Sequence, residues 1–343
     1  MSIPIENIYY LLCYAWNKLE EKDRVAVSAE DCTNLLDLLA KVLINSSKIL
    51  LKRGIDRNYI DVTTEFAGVK GKLQLSQSIK SQLLPKQRTI CSFNEFSANI
   101  LTNQILVTTL VRLIRTHNLD KNLKSEIKSL IWRFGEVDRI ELNPRVFNNI
   151  KLHRNNKFYG FILNVCRLIF ENSLLSEKTG ELHFMDFIRD EVKMRYLFEE
   201  FLRNFYSIEQ SKYKVRRENI YWQFQSVNES NAQFLPLMQT DITLESSESK
   251  IIVDAKFYKE ALKANWGKEK INSSNLYQLF SYLINQRSQD TKTQYAAGIL
   301  LYPTVQNENN LDYKFENHKI SIKTVNLDQN WKHISERLLS IVL

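Results

Sequence analysis

The chain has 343 residues, 44% of them hydrophobic, which is enough for two domains with a core each and too much for a disordered tail. Its formal net charge of +8 favours polyanionic partners without naming one. Five dispersed histidines, four widely spaced cysteines and only eight glycines give no support to a Ser/His/Asp hydrolase, a zinc centre or a Walker-type phosphate loop, so the chain is not expected to hydrolyse nucleotides alone.

Cys13, Cys32, Cys91 and Cys166 lack metal-ligand spacing and read as reduced, buried thiols of a cytoplasmic protein. No charged-then-apolar leader opens the chain, and no apolar run nears the ~18 residues of a membrane span, so no membrane association is expected. In chain order, residues 5–20 and 33–53 have helical apolar spacing, with Gly54 as a stop for the second. Tyr59-Ile-Asp-Val-Thr-Thr-Glu-Phe66 alternates like a strand. The following Gly68-Val-Lys-Gly-Lys-Leu-Gln-Leu75 has two glycines that suit a turn between paired strands. Helical spacing returns at 99–117, 122–134 and 158–172. The stretch 173–182, with Ser176, Glu177, Lys178 and Gly180, is the best linker candidate. These features predict an α+β amino-terminal domain over 1–182 and a second domain over 183–343.

The second half predicts a helix at 187–206, a strand near 213–225, a hairpin over 236–256 and a helix at 273–286. A nearly all-apolar strand follows at 295–302, then a late strand at 319–325 and a closing helix at 330–342. The hairpin carries the most information. Apolar residues nearly alternate from Leu237 to Leu244, Ile251-Ile-Val253 is a β-branched run, and Ser246-Ser-Glu-Ser249 is turn material. Asp254 and Lys256, two residues apart, project from one face, and the neighbouring strand brings Asp241 within reach of both. Two carboxylates suit a hard divalent ion such as Mg²⁺, while an ammonium beside them orients or activates water and offsets phosphate charge. An isolated Asp-x-Lys is most often only a turn or cap carboxylate.

Other residues add to the constellation. In 275–283, Leu276, Leu279, Phe280 and Leu283 form the buried stripe and set Gln278 and Tyr282 one turn apart. Upstream, Phe198, Phe201, Leu202 and Phe205 form a stripe with Glu199 at its edge and Glu200 pointing away; on spacing alone Glu199 is either a solvated residue or an acid facing a site. Lys212, Lys214, Arg216 and Arg217 precede the hairpin, and Lys256, Lys259, Lys263, Lys268 and Lys270 follow, so positive charge brackets it. Such contacts give affinity for phosphates but no sequence choice.

The order helix with Glu199, strand with Asp241, strand with Asp254-x-Lys256, helix with Gln278-x-x-x-Tyr282 resembles the PD-(D/E)xK nuclease superfamily, in its Gln-x-x-x-Tyr branch. That resemblance implies an α/β, mixed-sheet, restriction-endonuclease-like domain that hydrolyses DNA phosphodiesters. Asp241, Asp254 and Glu199 match the metal-binding acids, Lys256 the motif lysine, and Gln278 and Tyr282 the residues that steady the site or the DNA. Thr240 stands where the motif has proline, and Asp254 where it frequently has Glu.

A narrower resemblance rests on Ile3-Pro-Ile-Glu-Asn-Ile-Tyr-Tyr-Leu-Leu-Cys-Tyr-Ala-Trp16, Asn34-Leu-Leu-Asp37, Gly68-Val-Lys-Gly-Lys-Leu73, Met238-Gln-Thr-Asp-Ile-Thr243, Ile252-Val-Asp-Ala-Lys-Phe-Tyr-Lys259, Asn275-Leu-Tyr-Gln278 and Leu300-Leu-Tyr-Pro303. Together, from residue 3 to about 340, these resemble the McrC family, the nuclease subunit of McrBC-type modification-dependent restriction systems. The resemblance implies a partner, an McrB-like AAA+ GTPase hexamer that binds the GTP, docked by the 1–182 domain and stimulated by this chain. It also implies Mg²⁺-dependent cleavage of double-stranded DNA carrying methylated cytosine. The alternative is a non-cleaving subunit with a nuclease-like fold that only regulates the ring.

Overall fold

A computed structural model describes residues 3–17, 34–152, 156–175, 182–224, 229–258, 271–288, 290–306 and 308–343. They fall into two compact units, one holding 3–17 and 186–343 and the other the described part of 34–185. Among the described residues no helix is long and apolar enough to cross a membrane. Lys259, Lys263, Lys268, Lys270 and Cys32 lie outside the described residues.

Helix α1 (Ile5–Ala15) departs from the expected 1–182 domain, because it belongs to the carboxyl-terminal unit. Its Tyr14 packs on Phe201 and Phe205, with centroids 5.7 and 5.3 Å apart, and Tyr10 stacks on Trp331 at 4.6 Å. Asn7 donates to the carbonyls of Leu327 and Gln329, both at 2.8 Å. Contacts across more than three hundred residues leave no trace in local spacing, so chain order alone assigned the helix to the wrong unit.

The unit over 34–185 segregates helices from antiparallel strands. Helix α2 (Leu35–Arg53) starts where Asn34 accepts from the Asp37 amide at 2.9 Å, an N-cap. Strands β1 (Asn58–Ala67) and β2 (Lys72–Leu73), the short α3 (Leu75–Lys80) and β3 (Arg88–Ser97) follow, then α4 (Leu101–Arg115), α5 (Lys121–Arg133), α6 (Pro144–Asn148) and α7 (Lys157–Glu171), and a small pair, β4 (Ser173–Leu175) and β5 (Leu182–Phe184). The sheet order is β1-β3-β2. The expected hairpin between 59–66 and 68–75 therefore does not form; β1 instead pairs along its whole length with β3, from Asn58↔Ser97 to Ala67↔Arg88. Gly71 still needs to be glycine, since φ is +69° and a Cβ would lie 2.6 Å from the Ser92 carbonyl oxygen.

The other unit is α/β, with a mixed sheet. After α8 (Glu191–Glu209) come β6 (Lys214–Arg216), β7 (Asn219–Ile220), β8 (Met238–Gln239), β9 (Ile242–Glu245), β10 (Lys250–Ala255), α9 (Ser273–Asn285), α10 (Thr291–Gln294), β11 (Ala297–Thr304), β12 (Asn310–Phe315), β13 (His318–Asn326) and α11 (Trp331–Val342). The six-stranded order is β12-β13-β11-β10-β9-β6, parallel for β10/β11 and β11/β13 and antiparallel elsewhere. Side-chain alternation divides β10 between two layers. Phe257, just past the strand, meets Phe198 of α8 at 6.0 Å, whereas Ile252 joins Leu279, Tyr282 and Leu283 of α9 in one cluster. Each aromatic or leucine on these stripes contributes about 2 kcal/mol of burial. Gly298 of β11 lets α9 lie close, since a Cβ there would meet Leu283 at 2.9 Å and Leu279 at 3.0 Å.

The single strand expected near 213–225 is two short ones. The first arm of the expected hairpin is likewise interrupted: β8 pairs with β7 in a separate two-stranded sheet, β9 pairs with β10, and Thr240-Asp241 is the break between them.

Candidate active site

That break puts Asp241 where sheet register needs it. The antiparallel ladder runs from Lys250↔Glu245 to Val253↔Ile242, and one step further sets Asp241 opposite Asp254 at the carboxyl end of β10. Open α/β sheets place their ligands at such strand ends. Asp241 Oδ2 accepts from the Ala255 amide at 2.9 Å, which aims its carboxylate along β10. Thr240, in place of a proline, uses the N–H that proline lacks: it donates to the Glu218 carbonyl at 2.9 Å, and its hydroxyl accepts from the Glu218 amide at 3.0 Å.

Asp254 has no solvent exposure, and neither carboxylate oxygen has an aligned hydrogen-bond donor. The Lys256 ammonium stands 2.7 Å from its Oδ2 as an ion pair that lacks hydrogen-bond alignment. Burying a carboxylate against a single ammonium without an aligned donor is costly. Burial raises the pKa of both Asp254 and Asp241; the Lys256 charge opposes this for each, and the Asp241 charge adds to the rise of Asp254. Such a pair favours taking up a cation or a proton.

Lys256 is fixed from a second side. It donates to Gln278 Oε1 at 2.8 Å, Gln278 Nε2 donates to the Tyr282 hydroxyl at 2.8 Å, and Tyr282 donates to the Gln239 carbonyl at 2.9 Å. Burial pushes the Tyr282 phenol up to about 12, which keeps it a neutral donor. The chain of bonds ties the motif lysine, just past β10, through α9 to β8, two residues before Asp241. The structure thus brings together Asp241, Asp254, Lys256, Gln278 and Tyr282.

Glu199 is buried at the edge of the α8 stripe, 8% exposed, whereas the Glu200 side chain is 38% exposed. Burial and the charge of Asp241 push Glu199 up to about 7, with Arg217, Arg195 and Lys256 opposing. Its partners in this structure are two arginines. Arg217 and Arg195 stand 3.4 and 3.8 Å from its oxygens, and among the described residues no three His, Cys, Asp or Glu side chains group closely enough to hold a metal. Asp241 and Asp254 are the two carboxylates that would hold a divalent ion here.

A second polar chain escaped the sequence reading. Tyr258 donates to Asn275 Oδ1 at 3.1 Å, and Asn275, itself buried, donates to the Tyr302 hydroxyl at 2.8 Å. It anchors the first turn of α9 to β11 and so fixes where Gln278 meets Lys256. The continued two-residue step Asp254, Lys256, Tyr258 was the available signal. Arg217 gave none beyond its membership of a basic run.

Fold and site together define an α/β protein with a two-aspartate, one-lysine centre at a strand end. A family model described as the McrBC 5-methylcytosine restriction system component matches residues 6–303. The Type IV methyl-directed restriction enzyme EcoKMcrBC of Escherichia coli (strain K12) is 34% identical over 339 residues, which cover 99% of this chain and 97% of that protein. The chain belongs to the McrBC family, on its McrC branch. Its fold is similar to a chain in the refined half-complex from a tetradecameric assembly of Thermococcus gammatolerans McrB AAA+ hexamers with bound McrC. There the TM-score is 0.59 at 16% identity, covering 99% of this chain and 76% of that one.

Proposed function

We propose that this chain is the DNA-cleaving subunit of a McrBC-type restriction complex, a PD-(D/E)xK nuclease that uses Mg²⁺ and acts on DNA carrying methylated cytosine. The observation that carries the reading is Asp254: fully buried, without an aligned donor, opposite Asp241 and beside a clamped lysine. Asp241 and Asp254 would hold the ion, which supplies activation of water and offsets charge on the phosphate when bound. The protein's own groups do the rest. Lys256, gripped by Asp254 and Gln278, holds its ammonium still, so it orients a water or meets phosphate charge without reorganising. Tyr282 and Gln278 keep that geometry, and Glu199 tunes the charge beside Asp241.

The described residues of the 34–185 unit serve as the dock for an McrB-like AAA+ GTPase hexamer, which binds the GTP and whose hydrolysis this chain stimulates. The E. coli relative, named as a methyl-directed restriction enzyme, and the T. gammatolerans complex of McrB hexamers with McrC support the choice of partner. The test is cleavage of methylated and unmethylated plasmid with and without the cognate GTPase, GTP and Mg²⁺. Cleavage restricted to methylated DNA with all components present is the expected result. Full stimulation of the GTPase with no cleavage under any condition would make the chain a regulatory subunit instead.

A further inference from the structure

Three acids at the centre, Glu199, Asp241 and Asp254, are faced by three cations, Lys256, Arg217 and Arg195. The cations are held differently. Lys256 is buried and bonded at 2.7 and 2.8 Å. Arg217, in the turn between β6 and β7, keeps about a third of its side chain exposed, and its guanidinium lies 3.4 Å from Glu199 and 3.6 Å from Glu200. Arg217 donates a single long hydrogen bond to Glu199 and has only an ion pair with Glu200, both longer than charge-assisted hydrogen bonds of about 2.7–2.9 Å, so it is held less tightly than Lys256. The backbone beneath it is fixed, because Glu218 is tied in both directions to Thr240, the residue before Asp241. Its neighbour Arg216 is engaged elsewhere, 2.5 Å from Glu245. Release of Arg217 would leave Glu200 with a partner, Arg203.

We propose that Arg217 is an exchangeable counter-charge: it neutralises Glu199 and Asp241 while the site lacks metal, and swings out to a DNA phosphate when a divalent ion takes over that charge. Arginine cannot shed its proton, so an arriving divalent cation and a guanidinium among the same acids repel one another. A freed guanidinium is well matched to phosphate oxygens. Arg217 is thus a positioning and phosphate-binding residue. The inference rests on the metal-dependent nuclease reading above.

The test is Mn²⁺ affinity of the full chain without DNA, read by electron paramagnetic resonance, beside affinity for DNA at varied salt. Wild type must bind Mn²⁺ and Asp254→Ala must lose it; if either fails, the nuclease reading falls first and separately. With that met, Arg217→Gln should bind Mn²⁺ roughly fivefold or more tightly, the lower end of ordinary coupling between sites. Arg217→Lys should fall between the two, and the gain should vanish in a Glu199→Gln background, a cycle that a purely structural arginine would not produce. DNA binding by Arg217→Gln with metal present should weaken and lose about one unit of salt slope. Unchanged or weaker Mn²⁺ binding by Arg217→Gln, with wild type binding normally, would overturn the proposal.

Discussion

In the six-stranded sheet, β10 and β11 are covered on both faces and almost every side chain is buried, whereas β1 of the three-stranded sheet is exposed along most of its length, with Tyr59 69% and its cross-strand neighbour Phe96 55% exposed. The two sheets suit different work. A doubly covered sheet keeps water from Asp254 and buries Lys256 between two fixed partners, which a charge-stabilising site requires. An exposed ribbon has no such shielding, but it presents aromatic side chains that favour protein contact.

Substitutions should respect that division. Lys256→Ala should lower the single-turnover cleavage rate by about 10²–10³-fold, the usual loss for one preorganised charge-stabilising group, with little change in DNA affinity and none in stimulation of the partner GTPase. A large affinity loss at unchanged rate would make Lys256 a plain phosphate anchor. Gly298→Val should push α9 off β11 through Leu279 and Leu283, destabilise by about 1–3 kcal/mol and slow cleavage about tenfold as Gln278 leaves Lys256. Denaturant unfolding and single-turnover rates measure both; wild-type values in either would show that the close approach is not needed. The double variant Tyr59→Ser/Phe96→Ser should change stability by only about 0.5 kcal/mol while weakening binding to the GTPase ring severalfold. Unaltered ring affinity would remove this ribbon from the docking surface.

The smallest effect is a pH dependence. The folded pKa of Glu199, about 7, lies above its ordinary value of 4.5, so between the two the metal-free folded chain holds a proton that the unfolded chain has lost. Its contribution to stability is complete below about 4.5 and is lost as pH rises through about 7. Glu199→Gln should flatten that part of the stability profile and Glu200→Gln should leave it intact, as thermal unfolding across the range would show. An identical profile for both variants would return Glu199 to an ordinary surface acid.

How much was readable beforehand follows the same boundary between buried and exposed. The Asp254-x-Lys256 step, the Gln278/Tyr282 turn and the Phe198/Phe201/Leu202/Phe205 stripe were legible because burial on a defined face imposes a period on the sequence. Strands β3 and β12 were missed since neither has a consistently buried face: Asp312, Tyr313, Lys314 and Phe315 are all exposed, which erases the alternation. The break at Thr240-Asp241 was missed because the polar run Gln239-Thr240-Asp241 reads as part of one loosely alternating strand, while hydrogen bonding changes partner from β7 to β10. The placement of α1 and the charge exchange at Arg217 depend on residues distant in sequence, so neither has a local signature.

The two-aspartate centre is tested most directly by Asp254→Ala in the intact complex, with methylated DNA, Mg²⁺ and GTP supplied and both cleavage and GTP hydrolysis followed. Cleavage should fall by on the order of 10³-fold or more while GTPase stimulation stays at the wild-type level. Cleavage by Asp254→Ala at the wild-type rate would contradict the assignment of this site.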